Sequence, residues 1–501
     1  MERRPELPAR LRARIEKLVG PMDDGLMAVA TQTFRASTPE EFYDAERAVR
    51  DAWARRADVV VAEVLRHRVV APSLVEPAKA DCVARAAEAG VKLKSHGRRP
   101  TKVRLLGGTV IQLETLSMLP VAPPSKPGAF KRGVGRRGES GSGVCPALAA
   151  LGIAGQATPA LRAQIAREIS DADSVTVARA SLREHGLDVP HKTALRLTYM
   201  FADQALERRA AAFAATATEQ ASTCELAGKH VAVAVDGGRL RVRENPKAGR
   251  RNAETGHRRY DAPWREPKVL TIYVVGEDGK KDPAHRAFLD GTMGDCDHTY
   301  ALLVGHLRLM GAQQAAQVTL LGDGAEWIWG RATSLREALG LPPERFREVV
   351  DHAHAVERLG AIADEVKTWG ETTREKWLAK AKTLLSEGQI EVLLAHIDEL
   401  ATGRRASVMR DAMNYFVNHA ARMRYRAFRK AGIPIGSGAV ESGIRRVVNQ
   451  RLKGNSIYWL EDHAEAVLHL RAQLKAGRWD DLVRATLSHP VWHPKPRTRA
   501  P

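Results

Sequence analysis

Cysteine is scarce in this chain. The four, Cys82, Cys145, Cys224 and Cys296, are scattered with no C-x-x-C pair, which excludes a disulfide framework and a zinc knuckle. Long apolar runs are absent too: none approaches the ~20 residues a membrane-spanning helix needs, and the opening Met1-Glu2-Arg3-Arg4-Pro5 lacks the apolar core of a secretion signal. No internal repeat is visible. Acid is in short supply, with 59 Asp and Glu against 78 Lys and Arg and a formal charge of +19. That excess predicts an acidic polymer as partner. Nucleic acid is the default, because counterion release rewards phosphate contacts, and an anionic membrane surface is the competitor. These absences describe a soluble protein of a reducing compartment. Its 501 residues leave room for about two to four domains.

The pattern along the chain divides it further. Residues 1–100 read as a helical N-terminal region, with Phe42, Ala45, Val49, Trp53, Val59, Val60, Val64 and Leu65 at roughly helical spacing. Residues 101–120 change character: Val103 and Leu105, then Gly107-Gly108, then Val110, Ile111 and Leu113 predict a β-hairpin. Residues 121–157 are rich in Pro, Gly and Ser with Lys131-Arg132 and Arg136-Arg137 embedded, a basic flexible linker that lies on phosphates or is simply solvated. Residues 158–225 read as helix, tight turn, helix. That arrangement allows a helix-turn-helix with His191, Lys192, Thr193 and Arg196 at the start of a recognition helix, and equally a two-helix hairpin that only packs. Residues 226–369 alternate strand and helix, residues 370–430 are purely helical, and residues 431–488 supply final helices. The tail, residues 489–501, carries four prolines among basic residues and is expected to be disordered.

The chemistry is concentrated in acids. Val231 to Val235 run into Asp236, Val318 to Gly322 into Asp323, and Val349-Val350 into Asp351. Continuous apolar runs of this kind predict buried central strands, and ligands collect beyond the carboxyl ends of such strands in open α/β sheets. Carboxylates gathered there repel unless a cation sits among them. Glu441 opens a helix whose Ile444, Val448 and Leu452 follow at steps of three or four, so that face should pack on the sheet and hang the glutamate over the strand ends. Gly237, Gly238, Gly322 and Gly324 beside the aspartates leave room for backbone or phosphate to approach. Taken singly, each Asp is explained as a turn or cap, and Glu441 as a favourable charge at a helix start. Together, in a basic chain, Asp236, Asp323 and Glu441 predict a divalent-metal site for phosphoryl transfer.

These residues also carry a family resemblance. The order Asp236, Asp323, helical insertion, Glu441 resembles the DDE transposases. More closely, Val235-Asp236-Gly237-Gly238, Gly322-Asp323-Gly324-Ala325-Glu326-Trp327-Ile328-Trp329 and Gly432-Ile433-Pro434-Ile435-Gly436-Ser437-Gly438-Ala439-Val440-Glu441-Ser442 resemble bacterial insertion-sequence transposases of the ISKra group. Asp351-His352-Ala353-His354 resembles an Asp-x-x-His element shared with Mutator-like transposases. The resemblance covers about residues 226–475. It implies an α/β ribonuclease H-like catalytic domain with an all-helical insertion, preceded by a mainly helical DNA-binding region with a small β-hairpin. It implies cleavage at element ends to free a 3′-hydroxyl that attacks target DNA, with Asp236, Asp323 and Glu441 holding two Mg2+ ions, replaceable by Mn2+. Terminal inverted repeats and target DNA are then the partners, self-association to a dimer or higher oligomer is expected, and the location is the bacterial cytoplasm at the nucleoid. Relatives often carry a cysteine-rich ribbon before the helix-turn-helix; here only Cys145 is nearby.

Further candidates surround this set. Asp351 and His354 are placed beside the metal pocket, to orient the acids or the scissile phosphate, or else to stabilise a loop. Trp327 and Trp329 offer rings for a displaced base, with core packing as the plainer account. Arg424, Arg426, Arg445, Arg446, Arg451 and Lys453 flank the glutamate helix and read as phosphate-tracking cations, or as a solvated face. Asp295, Asp297 and His298 are read as a helix N-cap. Two rival functions remain open: a nuclease of the same fold that cuts without joining, and a non-catalytic DNA-binding regulator.

Overall fold

A computed structural model describes residues 9–19, 38–121, 143–217, 223–245, 259–454, 457–488 and 491–492. The chain divides into two compact units, Met1–Ala205 with Val483–Pro501, and Leu206–Leu482.

In the first unit the helix Pro39–Arg68 starts at a capping box: Thr38 Oγ1 accepts from Glu41 N, and Glu41 Oε2 accepts from Thr38 N, both at 3.2 Å. Two orphan amides are satisfied reciprocally, with proline at the first helical position. The hairpin is longer than its sequence pattern predicted. Strand β1 is Leu93–Arg104 and strand β2 is Val110–Pro120, antiparallel, with a register shift between Ser95 and Arg98. Residues 93–100 therefore belong to a strand rather than to the helical region. Their polar side chains hid them, since seven consecutive positions, Lys94 to Pro100, are exposed. Asp58 fastens the turn, accepting from Gly107 N and Thr109 N at 3.0 Å each. A Cβ at Gly107 would lie 2.7 Å from Asp58 Oδ2, so glycine is required there.

Two further sequence expectations need correcting in this unit. Residues 143–157 are packed, not a flexible linker: Ala147, Leu148 and Ile153 share a core with Leu65, Val103, Leu105 and Leu113. Residues 122–142 lie outside the described residues. Trp492 packs against Cys82, Met118 and Val144, so the predicted disorder does not extend to it, while the rest of the tail lies outside the described residues. The apolar positions assigned to the first long helix also divide unexpectedly. Leu65 is buried, but Phe42, Trp53 and Val59 are exposed. Three helices, Pro159–Asp171, Val175–Glu184 and His191–Ala217, close over Leu161, Ile165, Ala178, Leu182, Leu187, Val189 and Leu197. Ser174 caps the second, and Gly186 at φ +77° turns the chain toward the third.

The second unit is built on a five-stranded sheet. Its strands are β3 (His230–Gly237), β6 (Lys268–Val274), β7 (Phe288–Thr292), β8 (Gln317–Gly322) and β9 (Phe346–Val350). β6 runs antiparallel to β3 and β7, and β3, β8 and β9 are mutually parallel. The three parallel strands are the apolar runs noted in the sequence, and Val231 to Ala234 are fully buried, as expected for a sheet covered on both faces. The helix Cys296–Leu309 links β7 to β8 and the helix His352–Asp364 follows β9. Helices then occupy Glu371 to Lys430, before Gly438–Ile444 returns to pack on β3 and β6. Gly443 allows the close approach: a Cβ there would meet Leu289 Cδ2 at 3.2 Å. Asp290, wholly buried on β7, is held by Arg209 at 2.9 Å, His306 at 2.7 Å and His469 at 2.8 Å.

Candidate metal centre at the carboxyl edge of the sheet

Register alone brings the aspartates together. Ala234 pairs with Leu321 across β3 and β8, and Gly322 pairs with Val350 across β8 and β9. Continued to the strand ends, Asp236 stands level with Asp323, and Asp323 with Asp351. Neighbouring strands lie about 4.8 Å apart, and residues level in parallel strands share a face.

Each carboxylate is then held by local backbone. Asp236 Oδ1 accepts from Gly237 N at 2.6 Å, and Asp323 Oδ1 accepts from Ala325 N at 2.9 Å. Burial raises the Asp236 carboxyl above its ordinary range. The Gly237 amide draws it back, Asp323 pushes it up again, His354 lowers it and Glu266 raises it. Asp351 differs in kind. It is 1% exposed and caps the following helix, with Oδ1 accepting from Ala353 N at 2.6 Å and His354 N at 3.1 Å while Oδ2 accepts from Ser437 N. Burial alone would raise its pKa; His354 and the Ser437 and His354 amides instead hold it well below the carboxylate range. Through Ser437 this cap also fixes the loop leading to Glu441.

His354 lies with Nδ1 3.6 Å from Asp351 Oδ1, an ion-pair separation longer than a hydrogen bond. Asp351, opposed by burial and assisted by Glu357 and Asp323, pushes its pKa up to about 9. Nδ1 is buried without a hydrogen-bond partner among the described residues. Among the described residues, Asp351, His354 and Glu441 offer ligand atoms all within 4.8 Å of one another. The trio expected from sequence overlaps this group only at Glu441, with Asp236 and Asp323 beside it. None of Asp236, Asp323 and Glu441 forms an ion pair with Lys or Arg among the described residues; the one pair in the cluster is Asp351 with His354. Among the described residues, carboxylates converging without a Lys or Arg partner fit a hard divalent cation with oxygen ligands, with His354 the one positive side chain at their edge.

Two tyrosines of the helical insertion fasten the strand ends. Tyr415 donates to the Asp323 carbonyl at 3.2 Å and Tyr425 to the Val350 carbonyl at 3.1 Å. Sequence reading missed Tyr415, because nothing in a helix pattern marks which residue reaches back to a strand. It missed Glu266 as well. The glycines expected to make room for phosphate are occupied by the protein itself: a Cβ at Gly237 would strike Glu266, one at Gly238 would lie 2.9 Å from Val448 Cγ1, and one at Gly324 would lie 2.5 Å from Tyr415 Cε2. The Glu441 helix gives way to a π-helical turn over Arg445–Asn449, a feature frequent at functional sites. Ile444, Val448 and Leu452 are buried, as the spacing predicted, while Glu441 at the start of the helix is exposed.

The predicted DNA contacts separate into two groups. Lys192, Arg424, Arg445 and Lys453 are exposed. Arg196 is exposed but donates to the Gly155 carbonyl at 3.0 Å, and Arg426 pairs with Glu387 at 2.9 Å. Arg446 donates to the carbonyls of Ser442 and Lys475, and Arg451, 5% exposed, lies over Trp459. Both side chains are engaged within the fold, which weighs against the phosphate role expected of them. Trp329 is 8% exposed beneath Arg422, and Trp327 is half-buried under the Lys268 amine at 5.1 Å. Trp329 is thus a core residue with no open ring face. Asp295 is the N-cap expected of it, accepting from Asp297 N and His298 N.

No family model, curated protein or solved structure matches the chain. Among the described residues, no helix is long and apolar enough to cross a membrane.

Proposed function

We propose that the chain is a DDE-type DNA transposase, with a ribonuclease H-like catalytic domain, that cleaves the ends of a mobile element and joins the freed 3′-hydroxyl to target DNA. The observation that carries this is the level placement of Asp236, Asp323 and Asp351 on adjacent parallel strands, with Glu441 brought within 4.8 Å of Asp351 and His354 by a helix from beyond the insertion. A sheet whose first three strands form an antiparallel meander and whose last two run parallel to the first supports the fold reading.

Asp236, Asp323 and Glu441 would hold Mg2+, with Asp351 and His354 at its edge. When bound, the metal supplies Lewis-acid stabilisation of the attacking and leaving oxygens. The chain's own part is positional. Backbone amides fix one oxygen each of Asp236 and Asp323 and leave the other free. Asp351 anchors the Glu441 loop through Ser437, and His354 holds a positive charge beside the acids, suited to a phosphate oxygen. The net charge of +19 and exposed Arg445 and Lys453 favour DNA as substrate. Self-association and a bacterial cytoplasmic location at the nucleoid belong to the same reading.

Strand transfer tests it, using purified protein, labelled element-end DNA, a target plasmid and Mg2+, with Asp323→Ala as the comparison. Joined products from the wild type alone are expected. Nicking without joining would replace the transposase with a nuclease. Tight binding without cleavage in Mg2+ or Mn2+ would leave a DNA-binding regulator.

A further inference from the structure

Just past Asp236 the chain builds a second, smaller sheet with its own chemistry. Strand β4, Leu240–Arg241, pairs antiparallel with β5, Trp264–Arg265. On its other side Val242 bridges Trp459, with Arg243 N donating to Trp459 O at 2.7 Å and Trp459 N to Arg241 O at 3.0 Å. Leu240, Val242 and Trp459 are buried. Strand alternation therefore turns Arg241, Arg243 and Tyr458 to the opposite face.

That face is a ladder of cations and rings. The Arg241 guanidinium lies 4.7 Å from the Trp264 ring centroid and 6.0 Å from that of Tyr458. Arg243 lies 5.2 Å from the ring of Tyr260, which meets Tyr458 edge-on at 5.6 Å. Trp264 is 48% exposed. Among the described residues neither Arg241 nor Arg243 pairs with a carboxylate, whereas neighbouring Arg265 pairs with Glu244. Ring faces orient a guanidinium without neutralising it. Fixed, uncompensated charge beside an exposed indole is the combination that takes a single strand, phosphates on the guanidiniums and a base on the ring. Duplex DNA would use the charges and leave the indole idle, because its base faces are already stacked.

We propose that the face formed by Arg241, Arg243, Trp264 and Tyr458 is a stacking platform for unpaired DNA next to the cut. This rests on the DNA-processing reading above and adds where the flanking strand lies.

The test is binding by the full-length protein, in chelator so that no cleavage occurs. The probes are a labelled blunt duplex and the same duplex with an unpaired tail of about ten nucleotides, within the span such sites cover. The wild type should favour the tailed DNA about tenfold, in the lower part of the range for stacking one base. Trp264→Ala should remove most of that preference and leave blunt-duplex affinity unchanged, and Trp264→Phe should keep it. Arg241→Gln with Arg243→Gln should reduce the salt slope for tailed DNA by about 1.4, two single-strand phosphate contacts. Equal binding of both DNAs by the wild type, an unaffected Trp264→Ala, or a Trp264→Ala that loses both DNAs alike overturns the platform and spares the DNA reading. A wild type that binds neither DNA overturns both.

Discussion

Asp236 and Asp323 stand level at the carboxyl ends of adjacent parallel strands, because Ala234 and Leu321 pair two residues earlier in each. Asp323 raises the Asp236 carboxyl, and no basic side chain pairs with either among the described residues. A cation that binds there relieves the repulsion and is linked to folding. At a Mg2+ concentration a hundredfold above its dissociation constant the linkage is about 2.7 kcal/mol, several degrees in a unit of this size. Scanning calorimetry should show that rise in the wild type and not in Asp323→Ala. In chelator, Asp236→Asn should melt at or above the wild-type temperature, since it removes a repulsion. A Mg2+ shift that survives Asp323→Ala would move the metal elsewhere.

Asp351 and His354 give stability a window in pH. The Asp351 pKa is depressed by folding, so its contribution is present above its unfolded value of about 3.9 and drains away as pH falls through the folded value. His354 is raised to about 9, so its contribution is complete below about 6.5 and is lost as pH rises through about 9. Urea unfolding should therefore show the pair's largest effect between about pH 4 and 6.5. His354→Gln should flatten the alkaline side, while Asp351→Ala, which strands three amides, should cost about 2–4 kcal/mol at pH 6. A His354→Gln profile that still falls between pH 7 and 9 as steeply as wild type would remove His354 from the account.

Asp290 is the buried counterpart. It accepts from Arg209, His306, His469 and its neighbour Gly291, and although burial opposes them, His469, Arg209 and His306 hold its carboxyl well below the usual range. Removing one partner of a buried charge cluster leaves the others uncompensated, at about 3–5 kcal/mol. Asp290→Ala should lower stability by that amount by denaturant titration, with Asp290→Asn between it and wild type. A loss under 1 kcal/mol would mean that water reaches the cluster.

The strands that carry the acids were legible because a buried parallel strand is a continuous apolar run, and three such runs end at Asp236, Asp323 and Asp351. Glu441 was legible because Ile444, Val448 and Leu452 mark the face that packs. Two features were not. The glycines beside the aspartates signal only that space is needed, and Glu266, Val448 and Tyr415 take it from distant parts of the chain. Strand Lys94 to Pro100 lacks any apolar alternation, because both its faces are wet and only pairing with β2 defines it.

The basic run after Glu441 divides by what each guanidinium already holds. Among the described residues Arg445 is exposed without an ion pair, whereas Arg446 donates to the carbonyls of Ser442 at 3.2 Å and Lys475 at 3.0 Å. Sequence alone gives the two the same task. The structure predicts different losses: Arg445→Ala should leave stability unchanged and reduce the salt slope of duplex binding by about 0.9, one phosphate contact. Arg446→Ala should remove two hydrogen bonds and cost about 1–3 kcal/mol in unfolding, with little change in slope. Salt titrations and urea unfolding on both variants decide it, and a flattened slope from Arg446→Ala at full stability would return that residue to the DNA.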